Sequence, residues 1–187
     1  MLNGLFGSSK SGNHQPVTGR KPNKPTAPCP WKKGMNVFEE FKRLVSKLHE
    51  QAVRYALIGG VAMAFYTEPR FTRDIDLLVN PEDFEKTKAI LEEAGYFESA
   101  STWMFPEMAI ELHRFLKVAG EEDEMLVDIL VAMNEKVKAI ISNAVTAQSE
   151  EGTVMVAARH DLIWLKRTRD SKQDQADIEK LEDEKDR

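Results

Sequence analysis

The sequence has one cysteine, Cys29, so no disulfide can form within the chain. That fits a reducing, cytoplasmic setting. Cys29 has no histidine partner nearby in a Pro- and Gly-rich stretch, so it is expected to be incidental. No apolar run approaches the roughly 20 residues of a membrane span. A compact apolar segment followed by a small-residue cleavage site is also missing near the start, so secretion is not expected. Acidic residues are absent from the first 34 positions, which carry Lys10, Arg20, Lys21, Lys24, Lys32 and Lys33. With −5 overall and +6 in that segment, the remainder carries −11. "GSSKSGNHQPVTGRKPNKPTAPCP" is too polar and too rich in Gly and Pro to fold alone. Residues 1–34 are therefore expected to be a disordered basic tail, and 35–187 one domain. Such a tail can also serve as an arm for nucleic acid, with an affinity that falls steeply with salt.

What the sequence does contain is a regular series of apolar segments. "NVFEEFKRLVSKLHEQ" sets Val37, Phe38, Phe41, Leu44, Val45 and Leu48 on one helical stripe. Asn36 and Glu39 stand in capping-box positions. "YALI" reads as a short buried strand, and "VAMAFYTE" as a short helix that stops before Pro69. "DIDLLV" is a second strand. Asn80 and Pro81 open the next helix and Gly95 closes it. Strands are expected over Met108–Val118 and Met125–Ala132, joined as a hairpin through "AGEEDE". "NEKVKAIISNAV" has helical spacing through Val145, "GTVMVA" reads as a strand, and one or two helices follow from about residue 159. This order predicts an α/β (α+β) domain with a small mixed β-sheet flanked by helices and a short helical C-terminal part.

One segment carries chemistry. In "LIGGVAMAFYTEPRFTRDIDLLV", Asp74 and Asp76 are two apart in a strand and share a face, while Ile75 and Leu77 point into the core. Neighbouring carboxylates raise each other's pKa, and a bridging cation relieves that. Their oxygens suit Mg²⁺ or Mn²⁺. Two such ions can clamp the attacking and leaving oxygens of a phosphoryl transfer. Asp128, in "LVDIL", is the best third acid, and Glu111 in "AIELH" a weaker one. Asp161, Asp174 and Asp177 are expected to cap helices or face solvent. His113 is expected to be a satisfied structural histidine. Gly59 and Gly60 allow close approach of a ligand to the backbone and present N–H groups at a helix start, which favours phosphate.

The joint pattern resembles the nucleotidyltransferase superfamily with the polymerase-β-like core. There an apolar residue, Gly, and Gly or Ser precede a spacer of about a dozen residues and an Asp-apolar-Asp-apolar strand. Here these are "IGG", residues 61–73, and "DIDL". The match is closest to the small prokaryotic AbiEii/AbiGii toxin-like branch, through Arg70, Thr72, Asp74, Ile75, Asp76 and Leu77. "DLIWLKR" followed by "DQADIEKL" is similar to that branch as well. The resemblance covers about residues 36–182. It implies a nucleotidyltransferase fold, with Asp74, Asp76 and Asp128 binding Mg²⁺ or Mn²⁺. It implies that Gly59 and Gly60 hold the triphosphate of an NTP, helped by Arg70, Thr72, Arg73 and Lys166. It also implies transfer of NMP to a hydroxyl of an RNA (tRNA included), a protein or a small molecule, with a cognate toxin or antitoxin as partner. A non-catalytic nucleotide- or partner-binding module of the same fold is the alternative. Two departures stand out. Gly60 lacks the hydroxyl that Ser supplies in many members, and the C-terminal part is short for a large acceptor.

Overall fold

The structure is a computed structural model; it describes residues 37–69, 72, 74–118, 124–149 and 152–183. The expected basic tail, the capping position Asn36, Arg70, Arg73 and all but the last residue of the "AGEEDE" linker lie outside the described residues.

Among the described residues, one eight-stranded mixed sheet runs in the order β3-β5-β6-β2-β1-β8-β7, with β4 pairing on β5. The strands are β1 (Tyr55–Ile58), β2 (Asp74–Val79), β3 (Phe97–Glu98), β4 (Trp103–Phe105), β5 (Ile110–Val118), β6 (Glu124–Ala132), β7 (Val145–Ser149) and β8 (Gly152–Val156). The helices are α1 (Val37–Glu50), α2 (Gly59–Met63), α3 (Pro81–Glu93), α4 (Glu135–Ser142), α5 (Arg159–Arg169) and α6 (Lys172–Asp183). This is the mixed sheet with flanking helices that the order of apolar segments predicts.

The three central strands come from the three most apolar segments. β1 is buried along its whole length. It pairs antiparallel with β2 and parallel with β8. β2 pairs parallel with β6 in a register that sets Asp76 beside Asp128. The β5–β6 hairpin is present and sets Arg114 beside Asp128. Side chains alternate across each strand, so this register sorts residues onto two faces. Ile75, Leu77, Val79, Val127, Ile129, Val131 and Phe115 are all buried on one face. α1 and α3 cover that face: Lys117 reaches Glu40 of α1, and the His113 ring packs 4.3 Å from Phe84 of α3. α1 turns Phe41, Leu44, Val45 and Leu48 inward, as its spacing requires. The other face carries Asp74, Asp76, Asp128 and Arg114, and α5 stands over it across a cleft lined by Ile58, Ile110 and Leu130.

Several boundaries differ from expectation. α2 begins at Gly59 itself and ends at Met63, so both glycines lie inside its first turn rather than before it. α4 stops at Ser142, and Val145 starts β7. Ala144 and Val145 continue the helical spacing, yet pairing with β8 claims Val145. β3, β4 and β7 were not expected. β3 and β4 have only two and three residues, too few to show an alternation. β5 starts at Ile110 because Ala109 takes a left-handed conformation (φ 51°). The C-terminal helices are two. Asp170, at φ 49°, terminates α5, and Ser171 with Asp174 begins α6 as a capping box.

Candidate active site

The site forms where β1 hands over to α2 beside β2 and β6. The β1 carboxyl end, Ile58, lies opposite Asp76, and Asp76 lies opposite Asp128 on the other side. Asp74, two residues earlier in β2, shares their face and accepts a hydrogen bond from the Thr72 hydroxyl. Asp74 and Asp76 are partly buried, and Asp128 is buried. Three acids thus come together on one face from two strands about fifty residues apart in the chain.

Burial pushes the Asp76 carboxyl up to about 7, and the neighbouring charges of Asp74 and then Asp128 push in the same direction. Arg169 and the Gly60 N–H oppose the rise. The first-turn glycines therefore have a definite partner. Gly60 offers its N–H to the Asp76 carboxylate, and Gly59 sits against it at φ 68°. A Cβ on Gly59 would fall 1.8 Å from Asp76 Oδ2. Both the backbone conformation and the contact demand glycine there.

Asp128 is held from the other side. Arg114 donates from Nε to Oδ1 at 2.8 Å and from Nη2 to Oδ2 at 2.7 Å. This bidentate fork is the strongest arrangement available to a carboxylate and a guanidinium. Its hydrogen bond to Asp128 raises the Arg114 pKa further above its ordinary value.

A cleft opens next to Asp76. Gly59 and Asp76 form one side, Ile58, Ile110, Leu130, Leu162 and Leu165 line its apolar floor and wall, and Lys166 and Arg169 stand at α5. The two α5 cations differ. Lys166 is buried and tied to Asp177 at 2.7 Å, with Asp174 at 3.6 Å. Arg169 keeps 54% of its side chain exposed while forking Asp174 at 2.7 and 2.6 Å. Asp174 and Asp177 have no exposed surface, so the expectation that they face solvent is corrected. Asp174 does cap α6, but it does so from the interior, because cations one helix earlier neutralise it. Burial raises the Asp174 pKa, yet Arg169 and Ser171 outweigh that and hold it well below the usual carboxylate range.

His113 and Glu111 lie on the opposite face. His113 is bracketed by Glu98 on Nδ1 and Glu111 on Nε2, each at 2.7 Å, which is the structural role expected of it. Glu111 is accordingly turned away from the aspartates. Two residues near the site were not anticipated, Arg114 and Arg169. Arg114 has no local signal, since only the β5–β6 register reveals its partner. Arg169 was legible in principle as a cation in the last turn of "DLIWLKRTR", three residues after Lys166.

Among the described residues, no group of three or more His, Cys, Asp or Glu side chains stands ready-made around a metal position. Asp74 and Asp76 nevertheless fit a divalent cation. They are hard oxygen donors on one face, and Asp76 is a crowded carboxylate that added positive charge would relieve. Asp128 is a hard oxygen donor on the same face, and the Arg114 fork engages both of its oxygens. No helix among the described residues is long and apolar enough to cross a membrane.

The comparisons agree with this architecture. Solved structures with the same fold include the lincomycin-bound lincosamide antibiotic adenylyltransferase LnuA, at 16% identity and TM-score 0.52, covering 77% of this chain and 95% of that one. A putative nucleotidyltransferase from Thermotoga maritima follows at 14% identity and TM-score 0.51, covering 70% and 84%. The solution structure of the antibiotic-resistance factor ANT(2'')-Ia stands at 15% identity and TM-score 0.52, covering 77% and 81%. At these identities the likeness is one of fold. No curated protein matches the chain. Residues 32–182 match the family described as uncharacterised nucleotidyltransferase, most of the chain and all of the site, and the chain belongs to that family.

Proposed function

We propose that the chain is a divalent-metal-dependent nucleotidyltransferase that moves NMP from an NTP to an acceptor hydroxyl. One observation carries this reading: Asp74, Asp76 and Asp128 share one sheet face, Asp76 and Asp128 as register partners, with a glycine turn packed against Asp76. In the proposed reaction an acceptor oxygen bonds to the α-phosphorus, the bond between that phosphorus and the bridging oxygen to the β-phosphate breaks, and pyrophosphate leaves. Asp74 and Asp76, joined by Asp128, would hold Mg²⁺ or Mn²⁺, which supplies charge neutralisation at the triphosphate and lowers the cost of an alkoxide. Asp128 would help to take the hydroxyl proton. The first turn of α2, with Gly59 and Gly60 packed against Asp76, would lie beside the triphosphate. Thr72 steadies Asp74 through its hydroxyl. Arg169 is the more available α5 cation for phosphate, and Lys166 anchors α5 to α6 through Asp177. Arg70 and Arg73 keep the phosphate-contact role that the motif implies.

The acceptor reading starts from the apolar lining of the cleft, which suits a compact molecule better than a long polyanion. LnuA, which shares the fold, is an antibiotic adenylyltransferase solved with lincomycin. RNA and protein hydroxyls are the other acceptors to test. Membership of the toxin-related branch rests on the motif around Arg70–Leu77 and is tested by growth arrest on expression, with and without the neighbouring gene.

The decisive experiment measures pyrophosphate release with each NTP and Mg²⁺, for wild type, Asp74→Ala and Asp76→Ala, across hydroxyl acceptors. Release by wild type and loss of at least about 10²-fold in each variant is the expected result. Equal silence in all three proteins would leave the non-catalytic binding module as the better reading. Labelled NTP incubated with cell extract then identifies the acceptor.

A further inference from the structure

The third carboxylate is already engaged. Asp128 is 4% exposed, and both of its oxygens accept from Arg114. A divalent cation at Asp128 would have to share the carboxylate with this fork, and it would bring like charge against the guanidinium at a few ångströms. The two modes of holding Asp128 therefore compete. Arg114 has somewhere else to go. Its side chain is 43% exposed, and it lies on β5 between two residues whose cross-strand partners are aromatic. Leu112 is paired with Trp103 of β4, and Leu116 with Phe97 of β3. Residues two apart in β5 share a face, so Trp103 and Phe97 lie on the same side as Arg114, diagonal to it. Both are exposed, at 63% and 52%. A guanidinium released from Asp128 can stack on either ring.

We propose that Arg114 is a latch on Asp128, so that Asp74 and Asp76 take a divalent cation first and Asp128 joins only when the Arg114 fork opens. This rests on the metal-dependent reading above. It assigns Arg114 a positioning role, acting through Asp128 rather than on the substrate. It also gives the two edge strands a function, because they present the rings onto which the side chain moves.

Mn²⁺ binding, followed by electron paramagnetic resonance without nucleotide, tests the latch on the full chain. Arg114→Gln is expected to bind Mn²⁺ at least about tenfold more tightly than wild type, or to take up a further ion. Arg114→Lys, which cannot fork, should fall between them. Asp76→Asn should lose binding. Wild-type affinity and stoichiometry in both Arg114 variants, with binding lost in Asp76→Asn, would overturn the latch and leave the metal reading standing. Mn²⁺ binding unaffected by Asp76→Asn would sink both. A measurement on wild type covers the case in which the Arg114 variants fold poorly. The Arg114 Nε–H resonance should be shifted and slowly exchanging without metal. It should move toward the free-guanidinium position in Mg²⁺ at concentrations that displace bound Mn²⁺. A resonance unchanged under those conditions would overturn the latch.

Discussion

Asp76 concentrates the conflict between stability and chemistry in one side chain. Its carboxyl titrates near 7 because burial, Asp74 and Asp128 all disfavour its charge. In an unfolded chain the same group titrates near 3.9. Below both values it is neutral in both states and has no differential effect. Between them the unfolded chain releases the proton and the native chain keeps it, so stability falls as pH rises through that window. Asp76→Asn removes the penalty. We expect it to stabilise the apo protein by roughly 1–3 kcal/mol at pH 8 and hardly at all at pH 4, read from urea denaturation at both values, while abolishing pyrophosphate release. Gly59→Ala should act oppositely. Its Cβ would occupy the space of Asp76 Oδ2 at a φ that L-residues avoid, so a loss of roughly 1–3 kcal/mol and a collapse of activity are expected. A thermal melt no lower than wild type would show that Asp76 can move aside. These two positions were readable in the sequence because the alternation around Asp74 and Asp76 and the glycine pair are local signals. Arg114 was not, because its meaning depends on a strand pairing that no window of sequence contains.

At the scale of elements, α5 and α6 act as one unit locked by charge. Lys166 and Arg169 project from α5, Asp174 and Asp177 from α6, and all but Arg169 are buried. Removing one partner of such a network leaves the other charges uncompensated. Asp174→Ala is expected to cost roughly 3–5 kcal/mol in denaturant unfolding, more than a lost cap alone. Because Asp174 titrates below its ordinary range, its contribution is present above about pH 4 and is lost as pH falls. The variant should therefore converge with wild type toward pH 2. The spacing of "DLIWLKRTRDSKQDQADIEKL" reads as one or two helices, and it does not disclose that two aspartates on the second are interior. Their burial follows from partners on a neighbouring helix, and polar residues at helical spacing look the same whether paired or solvated. The short edge strands were illegible for the reason already clear from β3 and β4. A segment of two or three residues owes its conformation to the strand it joins, not to its own pattern.

For the whole molecule, charge is the remaining variable. The first 34 residues hold six cations and no anion in a chain of net charge −5. If they serve an RNA acceptor, deleting them should weaken RNA binding and flatten its salt dependence by a slope of several units, with pyrophosphate release to a small acceptor unchanged. Equal RNA affinity with and without the segment would remove that role. The fold class was legible because the apolar segments arrive in an order that only a mixed sheet with helices can accommodate.

The pairing of β1 with β8 fixes when the site can come into being. Leu57 finds its parallel partner only at Val156, and α5 and α6 follow β8 in the chain. On a ribosome, β1, β2 and the β5–β6 hairpin emerge and can pair while this closing strand is still unmade. The aspartates would then be assembled before the arginine and lysine that flank the cleft exist. A nascent chain thus carries the three aspartates and the Arg114 fork early, and the α5 pair of Lys166 and Arg169 last.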